Sequence, residues 1–130
     1  MQTAGNPAEL SGISAIRLTL MGYSALEKGK PDEAARYFDG ALDQNPGFAQ
    51  AAFEMGRLYE LGLGVERDLD RAFIYYMMAG EEDQTDAQER LAYFYREGLG
   101  TFRSGDQARY WEARAGKIRR AYKESASHRN

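Results

Sequence analysis

Apolar residues along this chain fall at helical spacing, and the spacing itself repeats. Met55-Gly56-Arg57-Leu58-Tyr59-Glu60-Leu61-Gly62-Leu63-Gly64 lies over Leu91-Ala92-Tyr93-Phe94-Tyr95-Arg96-Glu97-Gly98-Leu99-Gly100 at an offset of 36 residues (62 to 98). The same offset pairs Ala72 with Ala108, Tyr75 with Trp111, Ala79 with Ala115 and Gly80 with Gly116. Glycines, rings and small residues kept in step over that distance mark an internal repeat. Within one copy, Phe53, Gly56 and Tyr59 recur at helical spacing up to Gly62-Leu63-Gly64. Glycines that close together end a helix, because they take left-handed turns at little cost. Asp68 to Ala79 resumes the pattern, with Ala72, Tyr75, Tyr76 and Ala79 on a 3.6-residue period. Each copy therefore predicts a helix-turn-helix hairpin, whose small residues let helices approach while aromatic side chains fill the grooves beside them.

A related hairpin lies upstream. Ile13 to Glu27 is periodic in Ile16, Leu20 and Tyr23 and stops at Lys28-Gly29-Lys30. Pro31, Asp32 and Glu33 open the next helix, since proline fits a first turn and early acidic residues complement the helix dipole. That helix carries Ala34, Tyr37, Phe38, Ala41 and Leu42 and ends before Asn45-Pro46-Gly47. The reading is an all-α chain of six helices in three hairpins, about 11–46, 47–82 and 83–122, with 123–130 as a frayed tail. A length of 130 residues is that of a single domain.

Composition narrows the chemistry. The chain is too apolar, at 43%, for a disordered segment, and its net charge of -3 gives no reason to expect a nucleic-acid backbone as partner. There is no cysteine, which excludes disulfides and thiolate metal sites. No run approaches the roughly 20 apolar residues that span a bilayer, so no membrane insertion is expected. The segment Met1 to Pro7 has neither the basic start nor the apolar core of a signal peptide. As written, the chain favours a cytoplasmic setting, or a periplasmic one if an export signal has been removed.

Leu18, Met21, Gly22, Ala25, Ala34, Phe38, Ala41 and Pro46 resemble the eight signature positions of a tetratricopeptide repeat (TPR). Ala25 departs where an aromatic is usual, which implies looser packing within that hairpin. Met55-Gly56, Tyr59, Gly62-Leu63-Gly64-Val65, Ala72, Tyr75-Tyr76 and Ala79-Gly80 resemble the Sel-one-like variant of TPR, and the copy 36 residues on is similar to it. That second copy departs at Thr101, Ser104 and Glu112, in its loop more than in its helices. The resemblance spans residues 15–116. It implies a right-handed α-solenoid whose members act as adaptors in multiprotein assemblies.

The resemblance also implies that the first helix of each hairpin lines a concave face. Its inward positions fall on Ile16, Thr19, Tyr23 and Leu26, then Gln50, Phe53, Arg57 and Glu60, then Asp86, Glu89, Tyr93 and Arg96. Tyr23, Phe53, Arg57, Tyr93 and Arg96 have the chemistry of interface anchors, with Glu60 and Glu89 beside them. The rings can equally pack between helices. The clamp that chaperone-type TPRs use for a C-terminal carboxylate needs Lys and Asn where Thr19 and Tyr23 stand, so that ligand is rejected.

Catalysis and metals find no carriers. The single histidine, His128, lies in the expected tail, so Ser-His-Asp and Cys-His arrangements are implausible. A glycine loop can cradle phosphate, but a turn recurring at 62–64 and 98–100 reads as structural. Asp43, Asn45 and Glu54 match fragments of a calcium loop whose required glycine is Phe48 here. No cofactor is expected. Glu81, Glu82, Asp83 and Asp86 read as a solvated acidic turn, and Arg114, Lys117, Arg119, Arg120 and Lys123 as a polar terminal cap. The functional expectation is a non-catalytic module that binds a peptide or helix of a partner protein in its groove. The alternative is a structural element that self-associates, as a homo-oligomer, through its solenoid ends.

Overall fold

A computed structural model describes residues 10–128. Its six helices are α1 (Ala15–Glu27), α2 (Pro31–Gln44), α3 (Ala49–Leu61), α4 (Leu69–Glu81), α5 (Thr85–Glu97) and α6 (Gly105–Ser127). There is no strand among the described residues. Each of α1, α3 and α5 packs most extensively on the helix that follows it, and α2 and α4 pack next on the hairpin after them. The result is a right-handed α-solenoid of three hairpins. No described helix is long and apolar enough to cross a membrane.

Small residues decide how closely each hairpin closes. The Phe38 ring lies against Gly22, where a Cβ would come within 2.5 Å of it, and the Tyr76 ring lies against Gly56, where a Cβ would come within 2.6 Å. In the third hairpin, Ala92 stands at the place of Gly56 and the half-exposed Glu112 at that of Tyr76, so a methyl group is accommodated. Leu18, Phe38, Tyr76, Leu91 and Phe94 are fully buried along the seam. Ala25 is buried too, and a groove lined by Met21, Ser24, Ala25 and Tyr37 opens beside it, as expected of a missing ring.

The two glycine loops are equivalent in detail. Gly62 and Gly98 are left-handed, at φ 68 and 71°. Asp68 N–H donates to Tyr59 O at 3.0 Å, and Ser104 N–H donates to Tyr95 O at 2.9 Å. The departures at Thr101 and Ser104 leave the loop unchanged, because Ser104 caps α6 from Gln107 N–H as Asp68 caps α4 from Arg71 N–H, both at 3.1 Å. The second glycine of each loop tucks against the second helix of the preceding hairpin. A Cβ on Gly64 would lie 2.3 Å from the Pro31 carbonyl carbon, and one on Gly100 would lie 2.2 Å from Leu69 O. These glycines are where one hairpin meets the last.

Two placements differ from the sequence expectation. Thr19, expected on the groove, is buried, and its hydroxyl donates to Ala15 O at 2.8 Å within its own helix. The stretch from 123, expected to fray, continues α6 as helix to Ser127, carried by good helix formers such as Ala121, Lys123 and Ala126. Residues 129 and 130 of that tail, like Met1 to Pro7, lie outside the described residues.

Candidate interaction face

Side chains of α3 reach both neighbouring first helices, so α1, α3 and α5 share one face. The first tie is Glu54, whose side chain is 5% exposed. Tyr23 O–H of α1 donates to Glu54 Oε2 at 2.6 Å, Gln50 Nε2 donates to the same oxygen at 3.3 Å, and Arg57 Nη1 donates to Oε1 at 3.0 Å. A carboxylate is costly to bury unless donors surround it, and here three do. Gln50 Nε2 also donates to the Tyr23 hydroxyl at 2.5 Å. Burial and the acceptor Glu54 push the Tyr23 hydroxyl up to about 12, with Gln50 opposing.

Glu60 makes the second tie. Tyr76 O–H donates to its Oε1 at 2.7 Å, and Arg90 of α5 pairs with its Oε2. Burial first, then Glu60, raises the Tyr76 hydroxyl well above its ordinary value. The Arg90 guanidinium lies 4.7 Å from the Tyr93 ring centroid and 5.9 Å from that of Phe94, a cation–π arrangement. A cleft of about 310 Å³ opens here, lined by Phe53, Arg57, Glu60, Leu61, Tyr76 and Arg90.

The residues expected on this face divide into two groups. Tyr23 and Arg57 meet through Glu54, Phe53, Arg57 and Glu60 line the cleft, and Tyr93, 39% exposed, joins them through Arg90. Glu89 and Arg96 stay apart from that group. Each turns to α6 instead, Glu89 to Arg119 at 3.1 Å and Arg96 to Glu112 at 2.7 Å. Sequence reasoning missed Glu54 and Arg90 as ties. The available signal was their repeat register, a charge on the packing side of two consecutive first helices.

The acidic turn and the basic helix also meet. Arg114 pairs with Asp83 at 2.8 Å, and Arg119 pairs with Asp86 at 3.1 Å. The turn is therefore exposed but not simply solvated, because α6 runs back along α5 and brings the opposite charges into register. No group of three or more candidate metal ligands occurs among the described residues.

The Sel1 repeat pattern matches residues 49–83 and 85–117. No curated protein matches the sequence. Among solved structures, the Sel1 repeat protein from Oxalobacter formigenes superposes with a TM-score of 0.73 at 30% identity, covering 79% of this chain and 43% of that one. A protective antigen of uropathogenic Escherichia coli strains, displaying an SLR fold, gives 0.75 at 22% identity over 80% of this chain and 23% of that one. The cysteine rich protein B of Helicobacter pylori gives 0.68 at 21% identity over 85% and 84%. The chain spans under half the length of the first two. The matched pattern ends each first helix at a left-handed glycine, Gly62 in one copy and Gly98 in the other, with the same loop bonds after each, and the chain belongs to the Sel1 repeat family.

Proposed function

We propose that this chain is a non-catalytic module that receives a peptide or helix of a partner protein along the concave face of α1, α3 and α5. Sel1 repeats generally serve as protein–protein interaction modules, and proteins built from them are typically scaffolds without catalysis. The observation that carries the reading is the array of rings and guanidinium groups on that face, held by the two carboxylate ties. Tyr23 and Arg57 are fixed by Glu54, and Arg90 by Glu60, with the Tyr93 ring under the Arg90 guanidinium. Side chains ordered before binding lose less freedom when a partner arrives. Tyr93 and Arg57 offer the exposed ring and cation, Phe53 a cleft for an apolar side chain, and Glu89 and Arg96 polar contacts at the edge. Replacing both Tyr93 and Arg96 with Ala should weaken capture of partner protein from an extract of the native host, with the unfolding midpoint little changed. Undiminished capture by the folded double variant removes this face as the binding site.

A further inference from the structure

The outer side of the stack carries a groove that the inner-face reading leaves unused. Between α2 and α4 it encloses about 420 Å³, with Leu42, Ile74, Tyr75 and Met78 as its apolar lining. Ile74 is 56% exposed there. Asp39 and Asp43, one turn apart on α2, line the same groove, are exposed, and hold no ion pair among the described residues. Arg71 also lines it but is already engaged, with Asp68 at 3.4 Å and the Tyr59 hydroxyl at 3.5 Å. One repeat further on, α6 carries a cation of its own. Arg114, 36 residues after Met78 (78 to 114), lies over Trp111 and pairs with Asp83.

A complementary surface protrudes from the same chain. Between 113 and 123, α6 carries five basic residues and no acidic one. Arg114 and Arg119 are engaged within the chain, whereas Lys117, Arg120 and Lys123 hold no ion pair among the described residues. Ile118 and Tyr122 stand one turn apart between them, and every residue from Arg119 to His128 is exposed, Tyr122 at 74%. This end of α6 is a basic helix tied to α5 through Arg119, with the half-buried Ile118 at a cleft beside Asp83 and Thr85 and Tyr122 exposed beyond it.

We propose that the protruding end of α6 docks into the α2–α4 groove of a second copy of this chain. Ile118 and Tyr122 cover Ile74 and Met78, while Lys117, Arg120 and Lys123 meet Asp39 and Asp43. Stacking of copies end to end is disfavoured by a different comparison. On α4, Phe73 and Tyr76 pack against Tyr95 and Phe94 of the next hairpin, but Arg109 and Glu112 occupy those places on α6. An end-to-side contact uses different patches on the two copies, so it propagates as an open chain unless its rotation closes a ring. The contact belongs to the small class of interfaces, under about 1,200 Å², and its charges make it sensitive to salt.

The test is light scattering and sedimentation of the whole chain over a concentration series at low and high salt. Average mass should rise with concentration at low salt and fall back towards the monomer as salt is added. Asp39→Lys with Asp43→Lys should hold the chain monomeric, and so should Arg120→Glu with Lys123→Glu. An equimolar mixture of the two charge-swapped chains should associate again, which loss of folding in either could not produce. Tyr122→Ser, at an open position, should weaken association without a change of charge. Tyr93→Ala with Arg96→Ala should associate as the unaltered chain does, which separates this contact from the inner face. A strict monomer at all concentrations overturns the proposal, whatever else α6 binds. So does association that ignores the charge swaps, or a mixture of folded variants that stays monomeric.

Discussion

Glu54 and Arg90 occupy the same place in consecutive hairpins, 36 residues apart (54 to 90), yet carry opposite charge. Both reach back to the preceding first helix. Glu54 accepts from Tyr23 on α1, and Arg90 pairs with Glu60 on α3. The seam between first helices is thus closed by unlike chemistry at each step, while the apolar core beneath it repeats. Exchanging the two residues would aim a guanidinium at the Tyr23 hydroxyl and set a carboxylate against Glu60.

Removing the first tie should cost stability. Glu54→Ala leaves Tyr23, Gln50 and Arg57 without their shared acceptor, and a destabilisation of about 1–3 kcal/mol is expected. Glu54→Gln keeps an acceptor oxygen and should lose less. Urea unfolding midpoints of the two variants against the unaltered chain check both the size and the order.

The loop glycines should separate two kinds of penalty. Gly29 is left-handed at φ 72° with open space around its missing Cβ, so Gly29→Ala should cost only the conformational term, about 1–2 kcal/mol. Gly64→Ala and Gly100→Ala add a collision with backbone of the preceding hairpin, and should cost about 3 kcal/mol or more. Thermal unfolding of the three single variants measures the difference. Equal losses would show that the hairpins can part at no cost.

Alkaline pH should loosen the fold. The Tyr23 hydroxyl is pushed up to about 12 from an ordinary 10, so between those values the unfolded chain releases a proton that the folded chain keeps. Stability then falls as pH rises through that window, and the contribution is fully present below it. Tyr76 and Tyr75 act in the same direction. Tyr23→Phe should flatten part of the decline in unfolding midpoint between about pH 9 and 12. An unchanged slope would mean that burial and Glu54 together do not hold its hydroxyl above the ordinary value.

The internal repeat makes most of the fold legible in the sequence. Gly62 and Gly98 stop their helices because only glycine takes that conformation cheaply, and Gly22 and Gly56 are small because a ring lies on each. Such requirements are local and leave their mark on residue type. The candidate site was only half legible. Tyr23, Phe53, Arg57 and Glu60 were expected on one face and lie there, but nothing in their spacing showed that Glu54 joins two of them, or that Arg90 and not Arg96 reaches Glu60.

Helical periodicity in the sequence determines which side of each helix turns inward, and glycine and proline placement determines where each helix ends. Which partner a given side chain then meets is decided by how far one hairpin is rotated and shifted on the next. That rotation depends on many contacts summed across two surfaces, Phe73 on Tyr95 and Gly100 against Leu69 among them. Ion pairs such as Arg119 with Glu89 follow from it, because long polar side chains take whatever opposite charge the packed core brings within their reach.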